Sequence, residues 1–487
     1  MSSISRRTFM IGGASLAGMV SAGMMPGARA SGDGGFTAAS EVVSSADDKA
    51  VKTPGIQRVF ALAEVTGGGE KIYGVAVEYD ADIDPQSLTH LTYTAGVVPA
   101  AQGFMAGMPD SQDKNATQGE PQPRAVGAVY TNTKPALHQE QKNVTGRFVI
   151  VEFIQDLDLS LPTRDSDKIS IAQVKSIKTL AGRVYGANQT AWSNVSLRGN
   201  NVVIRGIDAW EQHHWWWDDT RSAWLEYSIR LPESFLQPGG EEKAYPLVLA
   251  ITHSGTSYEG TCAQTLTEQC IASIWGLPEE QEQRECVVIT PRYERTTMND
   301  YWEHTSDVEN TWRLVQSLLS NTWNYGNPNL EDRSDKVLKI DASRVYCTGW
   351  SMGAMTSLWL MAKHPETFAA GLIIAGQQRP KDVVTLSHQK LLIITGSDDN
   401  KATPWNEKCV PVWEEAGARV TRPKERLDPA LIFPVSQQDK LNNQINGYLN
   451  KGGNITFLTF KGVDHMASAR KFFYILAARE WLFRQKK

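Results

Sequence analysis

The stretch Gly349-Trp350-Ser351-Met352-Gly353 is a G-x-S-x-G match. This spacing suits a serine held on a sharp turn between a strand and a helix, with its hydroxyl exposed for nucleophilic attack. The motif alone is weak, since a chain with 39 Gly produces such spacings by accident. Its flanks give it weight. Val345-Tyr346-Cys347-Thr348 before it reads as a strand, and Met352 to Lys363 after it reads as a helix. A serine hydroxyl is a poor nucleophile at neutral pH and needs a base, which in turn needs an orienting acid.

For a serine on such a turn the chain order is serine, acid, histidine. Of the nine histidines, only His465 lies between the last strand-like run (455–460) and the last helical one, in the loop Gly462-Val463-Asp464-His465-Met466. His364 ends the elbow helix and His388 precedes the next strand, so both read as structural. The acid belongs after the strand at 391–395, where the sequence is Gly396-Ser397-Asp398-Asp399-Asn400. Asp399 is the first choice and Asp398 the second, the other serving as a turn residue. An oxyanion needs two preorganised donors. The backbone N–H of Met352 is one. The other is expected from His253-Ser254-Gly255-Thr256-Ser257, through Gly255 or Ser254, although an ordinary β-to-α turn remains an alternative there.

These residues need a frame. From about residue 209 onward, strand-like and helical segments alternate, which predicts an α/β domain with a mainly parallel sheet. Its strands are expected at 246–252, 286–290, 344–348, 368–375, 391–395 and 455–460, as the continuous apolar runs of strands covered on both faces. A last helix is expected over about 469–483. Residues 55–208 read instead as an all-β sandwich. Val75, Val77 and Tyr79 alternate as in a half-buried strand. Further strands are expected at 59–63, 148–153 and 201–204, and a long loop over 95–145. The aromatic cluster Trp210-Glu211-Gln212-His213-His214-Trp215-Trp216-Trp217 is expected to pack between the two domains, with a sugar or aromatic platform as the alternative. Tyr301-Trp302 is taken as loop packing, with a substrate-pocket wall as the alternative.

The 487 residues are 41% hydrophobic, enough for a large core, and include 15 Trp, which excludes a disordered or fibrous chain. The formal net charge of −5 comes with no strongly basic block, so nucleic acid is not an expected partner. Ser5-Arg6-Arg7-Thr8-Phe9-Met10, a Gly/Ala-rich apolar stretch and Ala28-Arg29-Ala30 read as a twin-arginine export signal over 1–30, with a Sec signal peptide carrying two arginines as the alternative. A Ser/Ala/Gly/Asp-rich linker over 31–54 follows. The apolar stretch is too short to span a bilayer and no later run does so. The expected location is therefore periplasmic or secreted. Five cysteines leave at least one thiol free even where an oxidising compartment permits disulfides. No C-x-x-C, H-E-x-x-H, phosphate-binding glycine loop or dinucleotide fingerprint occurs, so neither cofactor nor metal is expected.

The segments Tyr245-Pro246-Leu247-Val248-Leu249, Arg344 through Gly353, Phe368-Ala369-Ala370-Gly371 and Trp481-Leu482-Phe483 resemble the α/β-hydrolase superfamily. The likeness is to secreted esterases with an N-terminal immunoglobulin-like domain, and to the polyhydroxybutyrate-depolymerase and feruloyl-esterase-like group. Val77-Glu78-Tyr79-Asp80 with Ile83-Asp84 looks like the start of that N-terminal domain. Two positions depart from the pattern: Ser254 stands where glycine usually follows the histidine, and Ala354 replaces the next glycine after the elbow. The resemblance implies an exported serine carboxylesterase acting on a small-molecule or polymer-derived ester through an acyl-enzyme. A serine peptidase of the same fold and a non-catalytic envelope-binding module are the competing readings. Acyl and alcohol preference, and whether the protein forms a homo-oligomer, are not legible.

Overall fold

The computed structural model describes residues 55–98, 122–138, 144–154, 159–187, 201–218, 223–256, 261–320 and 337–487. The expected export signal and linker lie outside these residues. The N-terminal part is built on a five-stranded sheet, ordered Val202–Ile204, Ile56–Thr66, Gly69–Ile83, Gly146–Phe153, Val126–Asn132. A three-stranded sheet of Gln122–Arg124, Tyr93–Val97 and Ile169–Gln173 accompanies it. Tyr79, buried, shares a hydrogen bond of 2.5 Å with the Tyr93 hydroxyl and donates to Gln173 Oε1 at 2.7 Å, joining the two sheets through their shared interior.

Two expectations change here. The strand carrying Val75, Val77 and Tyr79 is buried on both faces, because Tyr73 and Ala76 enter a second apolar cluster with Leu62, Tyr130, Phe148 and Ile150. The 95–145 region is also not simply a loop: Tyr93–Val97, Gln122–Arg124 and Val126–Asn132 are strands. The short, Gly- and Pro-containing runs Tyr-Thr-Ala-Gly-Val and Gln-Pro-Arg are paired by neighbouring strands rather than announced by periodicity.

The C-terminal part is a nine-stranded sheet ordered Trp210–Asp218, Ala223–Arg230, Val287–Arg292, Ala244–Ile251, Lys339–Trp350, Ala370–Ile374, Leu391–Gly396, Ile455–Phe460, Val420–Thr421. The first two junctions are antiparallel and the rest parallel. Helices cover both faces, so alternate residues of a strand enter opposite cores. Val248 and Ala250 lie in one cluster, Leu247, Leu249 and Ile251 in the other. Full burial of one such side chain stabilises the fold by roughly 1.5–3 kcal/mol. The elbow helix Met352–Lys363 is buried almost all round, as its mostly apolar circumference requires.

The first of these two cores runs on without a break into the sandwich, from Val59 and Val75 through Ile204, Ile207 and Trp210 to Trp275 and Trp350. Only Trp210 of the aromatic cluster takes part in that packing. The rest form an edge strand, with Trp216 packed on the opposite core and Trp215 and Trp217 46% and 63% exposed. The expected last helix is three pieces: His465–Lys471, a 3-10 turn Phe472–Tyr474, and Leu476–Phe483. The extended backbone at Ile475 breaks it, which lets Phe472, Phe473 and Ile475 all be buried.

Candidate active site

Ser351 follows the strand Lys339–Trp350 and caps the helix Met352–Lys363. Its backbone is at φ 55, ψ −121, a conformation rare for a residue with a side chain. Strain of this kind persists only where the surroundings over-determine it. Here the surroundings are two glycines. A Cβ on Gly349 would lie 2.5 Å from the Gly353 carbonyl carbon, and one on Gly353 would lie 2.0 Å from the Ile251 oxygen. Only bare backbone lets the strand Lys339–Trp350, the helix and the adjacent strand approach so closely.

Asp399 and His465 arrive from the ends of two further parallel strands. The loop after Leu391–Gly396 is clamped to the one after Ile455–Phe460. Ser397 N–H donates to Phe460 O (2.7 Å), Asp398 N–H to Val463 O (3.0 Å), and Gly462 N–H to Ser397 Oγ (2.8 Å). Gly396 is essential to this clamp, since a Cβ there would fall 1.9 Å from the Val463 oxygen. His465 is not in a loop, as its neighbours suggested, but is the first residue of a short helix. Asp464 caps that helix by accepting from Ala467 N–H at 2.7 Å.

The three side chains form one hydrogen-bonded line. His465 Nδ1–H donates to Asp399 Oδ2 at 2.8 Å. This leaves Nε2 to accept from the Ser351 hydroxyl at 2.9 Å. A carboxylate can only accept, so Asp399 selects this tautomer. Burial pushes the Asp399 carboxyl up, but the His465 bond and charge, and the N–H groups of Ala402 and Lys401, more than reverse this and hold it below the usual carboxylate range. Those N–H groups donate to Oδ1 at 2.9 and 3.0 Å. Asp399 is 1% exposed, whereas Asp398 is exposed and accepts from the Ser397 hydroxyl at 2.7 Å.

His364 stacks on Trp312 and pairs with Glu309, and His388 lies on an exposed 3-10 turn; neither joins the line. Met352 is the first residue of the elbow helix, a position whose N–H has no acceptor within the helix. Ser254 and Gly255 are exposed in the 3-10 turn Ser254–Thr256, and Ser257 lies outside the described residues. Gly255 is committed within its own loop, because its N–H donates to His253 Nδ1 at 3.0 Å.

Trp350 occupies a variable position of the motif. Its indole N–H donates to Ser468 Oγ at 3.0 Å, and Ser468 donates to the His465 carbonyl at 2.6 Å. Its ring lies between those of His465 (centroids 5.2 Å) and His253 (5.0 Å). No spacing in the sequence announces these contacts, which join three separate segments. Trp302 packs edge-on against Trp405 at 4.9 Å with the Arg379 guanidinium over it, while Tyr301 is 83% exposed. The five cysteines are all buried and none is bonded to another. Burial pushes the thiols of Cys262, Cys270, Cys347 and Cys409 up to about 12, and that of Cys286 up as well.

Residues 58–186 match the esterase Ig-like N-terminal domain, and residues 334–408, which span the elbow and the candidate acid, match the prolyl oligopeptidase family. No curated protein matches the chain. Among solved structures, a thermostable esterase is 18% identical, with a TM-score of 0.61 over 89% of this chain and 100% of that one. A feruloyl esterase module from Clostridium thermocellum is 15% identical over 54% of this chain and 84% of its own, with a TM-score of 0.33. An acetyl xylan esterase from Aspergillus awamori is 16% identical over 53% and 93%, with a TM-score of 0.31. The last two scores are too low to bear on fold or chemistry. Sheet order, elbow, the two family matches and the likeness to the thermostable esterase agree: the chain is an α/β-hydrolase-fold protein that carries an esterase-type Ig-like domain ahead of its hydrolase sheet.

Proposed function

We propose that this protein is a serine carboxylesterase, with Ser351 as nucleophile, His465 as base and Asp399 as orienting acid. The observation that carries the reading is the unbroken line from Asp399 Oδ2 through His465 to Ser351 Oγ, at 2.8 and 2.9 Å. Ser351 Oγ attacks the ester carbonyl while His465 Nε2 takes its proton. The oxyanion accepts hydrogen bonds from Met352 N–H and from the Ser254 end of the neighbouring turn. His465 then protonates the leaving alcohol. Water, deprotonated by the same imidazole, cleaves the acyl-enzyme and restores Ser351. Asp399 stays ionised throughout and stabilises the imidazolium. The name of the thermostable esterase, which this chain covers from end to end, supports ester over amide chemistry.

Export belongs to the same reading. Arg6 and Arg7 before a weakly apolar stretch form the twin-arginine signal, and residues 31–54 the linker that follows it. The domains are the Ig-like sandwich at 55–208 and the hydrolase domain at 209–487. Five buried, unpaired thiols support folding under reducing conditions before arrival in an oxidising compartment. The match to the prolyl oligopeptidase family favours a second reading, a serine peptidase. Hydrolysis of esters graded by acyl length, beside peptide anilides, by wild type and Ser351→Ala tests both. Ester turnover that vanishes in the variant is expected. Equal rates in the two proteins reject Ser351, and anilide turnover exceeding ester turnover rejects the esterase.

A further inference from the structure

Away from the triad, His213, Glu226 and Cys262 bring an imidazole nitrogen, a carboxylate oxygen and a thiol sulfur within 4.8 Å of one another. They come from three elements: the edge strand Trp210–Asp218, its partner Ala223–Arg230, and the first turn of the helix Cys262–Thr267. The edge strand bulges between Glu211 and His214, and His213 sits in that bulge at φ 63. Such a bulge re-aims a side chain. Here it turns the ring onto Glu226, with Nδ1 2.8 Å from Oε1.

The surroundings resemble a prepared ligand set. Glu226 is 5% exposed, and its other oxygen accepts from Arg292 Nη1 at 2.8 Å, which fixes the plane of the carboxylate as outer partners do in metal sites. Cys262 is fully buried beside it. Ser228 Oγ, also fully buried, interacts with the Cys262 sulfur and has no hydrogen-bond partner of ordinary geometry. The His213 side chain remains 55% exposed, which leaves a route from solvent and a place for a water ligand.

We propose that His213, Glu226 and Cys262 bind a zinc-class divalent cation. Nitrogen, oxygen and sulfur donors together suit Zn²⁺ and do not suit Mg²⁺ or Ca²⁺, which take oxygen. On binding, the Cys262 thiol releases its proton to solvent as the metal–sulfur bond forms. The His213–Glu226 hydrogen bond gives way to one metal bond from each, the imidazole proton passing through solvent from Nδ1 to Nε2, so that the ring stays neutral. Water completes a tetrahedron. The thiolate and the carboxylate bring two negative charges to the cation, and Arg292, still bonded to Glu226, keeps Glu294 at 3.9 Å as its counter-charge. The nucleophile strand lies three strands away in the sheet, so the ion is structural: it ties the bulged edge strand to the helix that starts at Cys262. This inference does not depend on the esterase reading.

The test uses the metal-free full chain, titrated with Zn²⁺ alone and then with Co²⁺ as a spectroscopic substitute. One equivalent per chain, a rise in thermal midpoint and a thiolate-to-cobalt charge-transfer band are expected. His213→Ala, with folding checked by circular dichroism, should weaken Zn²⁺ binding by at least about tenfold. Cys262→Ser should abolish the charge-transfer band. Ser351→Ala should bind as wild type does. A wild type that takes up no Zn²⁺, or a His213→Ala protein that binds it with unchanged affinity, overturns the site and leaves a hydrogen-bonded ion-pair cluster with Arg292.

Discussion

Replacing Asp399 by Asn removes a negative charge and almost no volume, so it isolates what the carboxylate does. Oδ1 accepts from the N–H groups of Lys401 and Ala402 at 3.0 and 2.9 Å, and Oδ2 accepts from His465 Nδ1–H at 2.8 Å. The asparagine has one acceptor. Two backbone donors hold its oxygen where Oδ1 stood, and its NH2 then faces His465 Nδ1. An NH2 group can only donate, so Nδ1 must accept and the imidazole proton moves to Nε2. That is the nitrogen that must accept the Ser351 proton, so the base is blocked. The expected loss in kcat is about 10⁴-fold, or about 5.5 kcal/mol of barrier, with KM little changed. Steady-state hydrolysis of a short-chain p-nitrophenyl ester reads it, with circular dichroism to establish folding. A loss under about tenfold, or an equal loss in Asp398→Asn, refutes Asp399 as the orienting acid. Stability moves in a defined direction too. A carboxyl held below its ordinary range stabilises the fold above its unfolded-state pKa, and that contribution is lost as pH falls through the folded-state value. The urea midpoint of wild type should therefore exceed that of Asp399→Asn near neutrality, and the gap should narrow as the solution is acidified below the ordinary carboxylate pKa of about 3.9.

Gly396→Ala places a methyl 1.9 Å from the Val463 oxygen and must displace the turn that leads to His465; a displacement of about 1 Å lowers kcat by about 10²-fold, whereas a kcat within a factor of about three of wild type means the clamp does not position the base. Glu280, 3% exposed, is held by Arg284, just past the end of its own helix Pro278–Gln283, and by Arg479 on the helix Leu476–Phe483. Glu280→Gln should cost about 3–5 kcal/mol in urea unfolding at neutral pH, because two guanidinium groups lose a buried counter-charge. Burial raises the Glu280 carboxyl but the two arginines lower it further, so this stabilisation too is lost as pH falls through the depressed value. A thiol reagent such as DTNB should find no reactive cysteine in the native protein and all five after unfolding in guanidinium; rapid native labelling would contradict the burial of the thiols.

Part of this protein was readable from local pattern. Parallel strands covered on both faces need unbroken apolar runs, and the runs near 247, 288, 346, 372, 392 and 457 stand in the sequence for that reason. The first two strands of the sheet, Trp210–Asp218 and Ala223–Arg230, were not read as such. One is an exposed edge whose tryptophans resemble a packing cluster, and it pairs on one side only, with the strand that follows it in the chain. Tyr93–Val97 and Gln122–Arg124 went unread because pairing partners, not their own residues, make them strands. The break at Ile475 is set by what the surrounding core accepts, not by a proline or glycine.

The sequence by itself determined the order of strand, glycine-flanked serine, acid and histidine, because an elbow turn and a parallel sheet impose short-range patterns that one dimension can carry. Only the tertiary structure decided that Asp399 and not Asp398 meets His465, that Gly255 spends its N–H on His253, and that Trp350 braces the imidazole. Each of these is a matter of a few ångströms, between residues from 2 to 115 positions apart. Such distances are set by how sheet, helix and clamp pack together, and a hydrogen bond is lost over less than the width of one side chain.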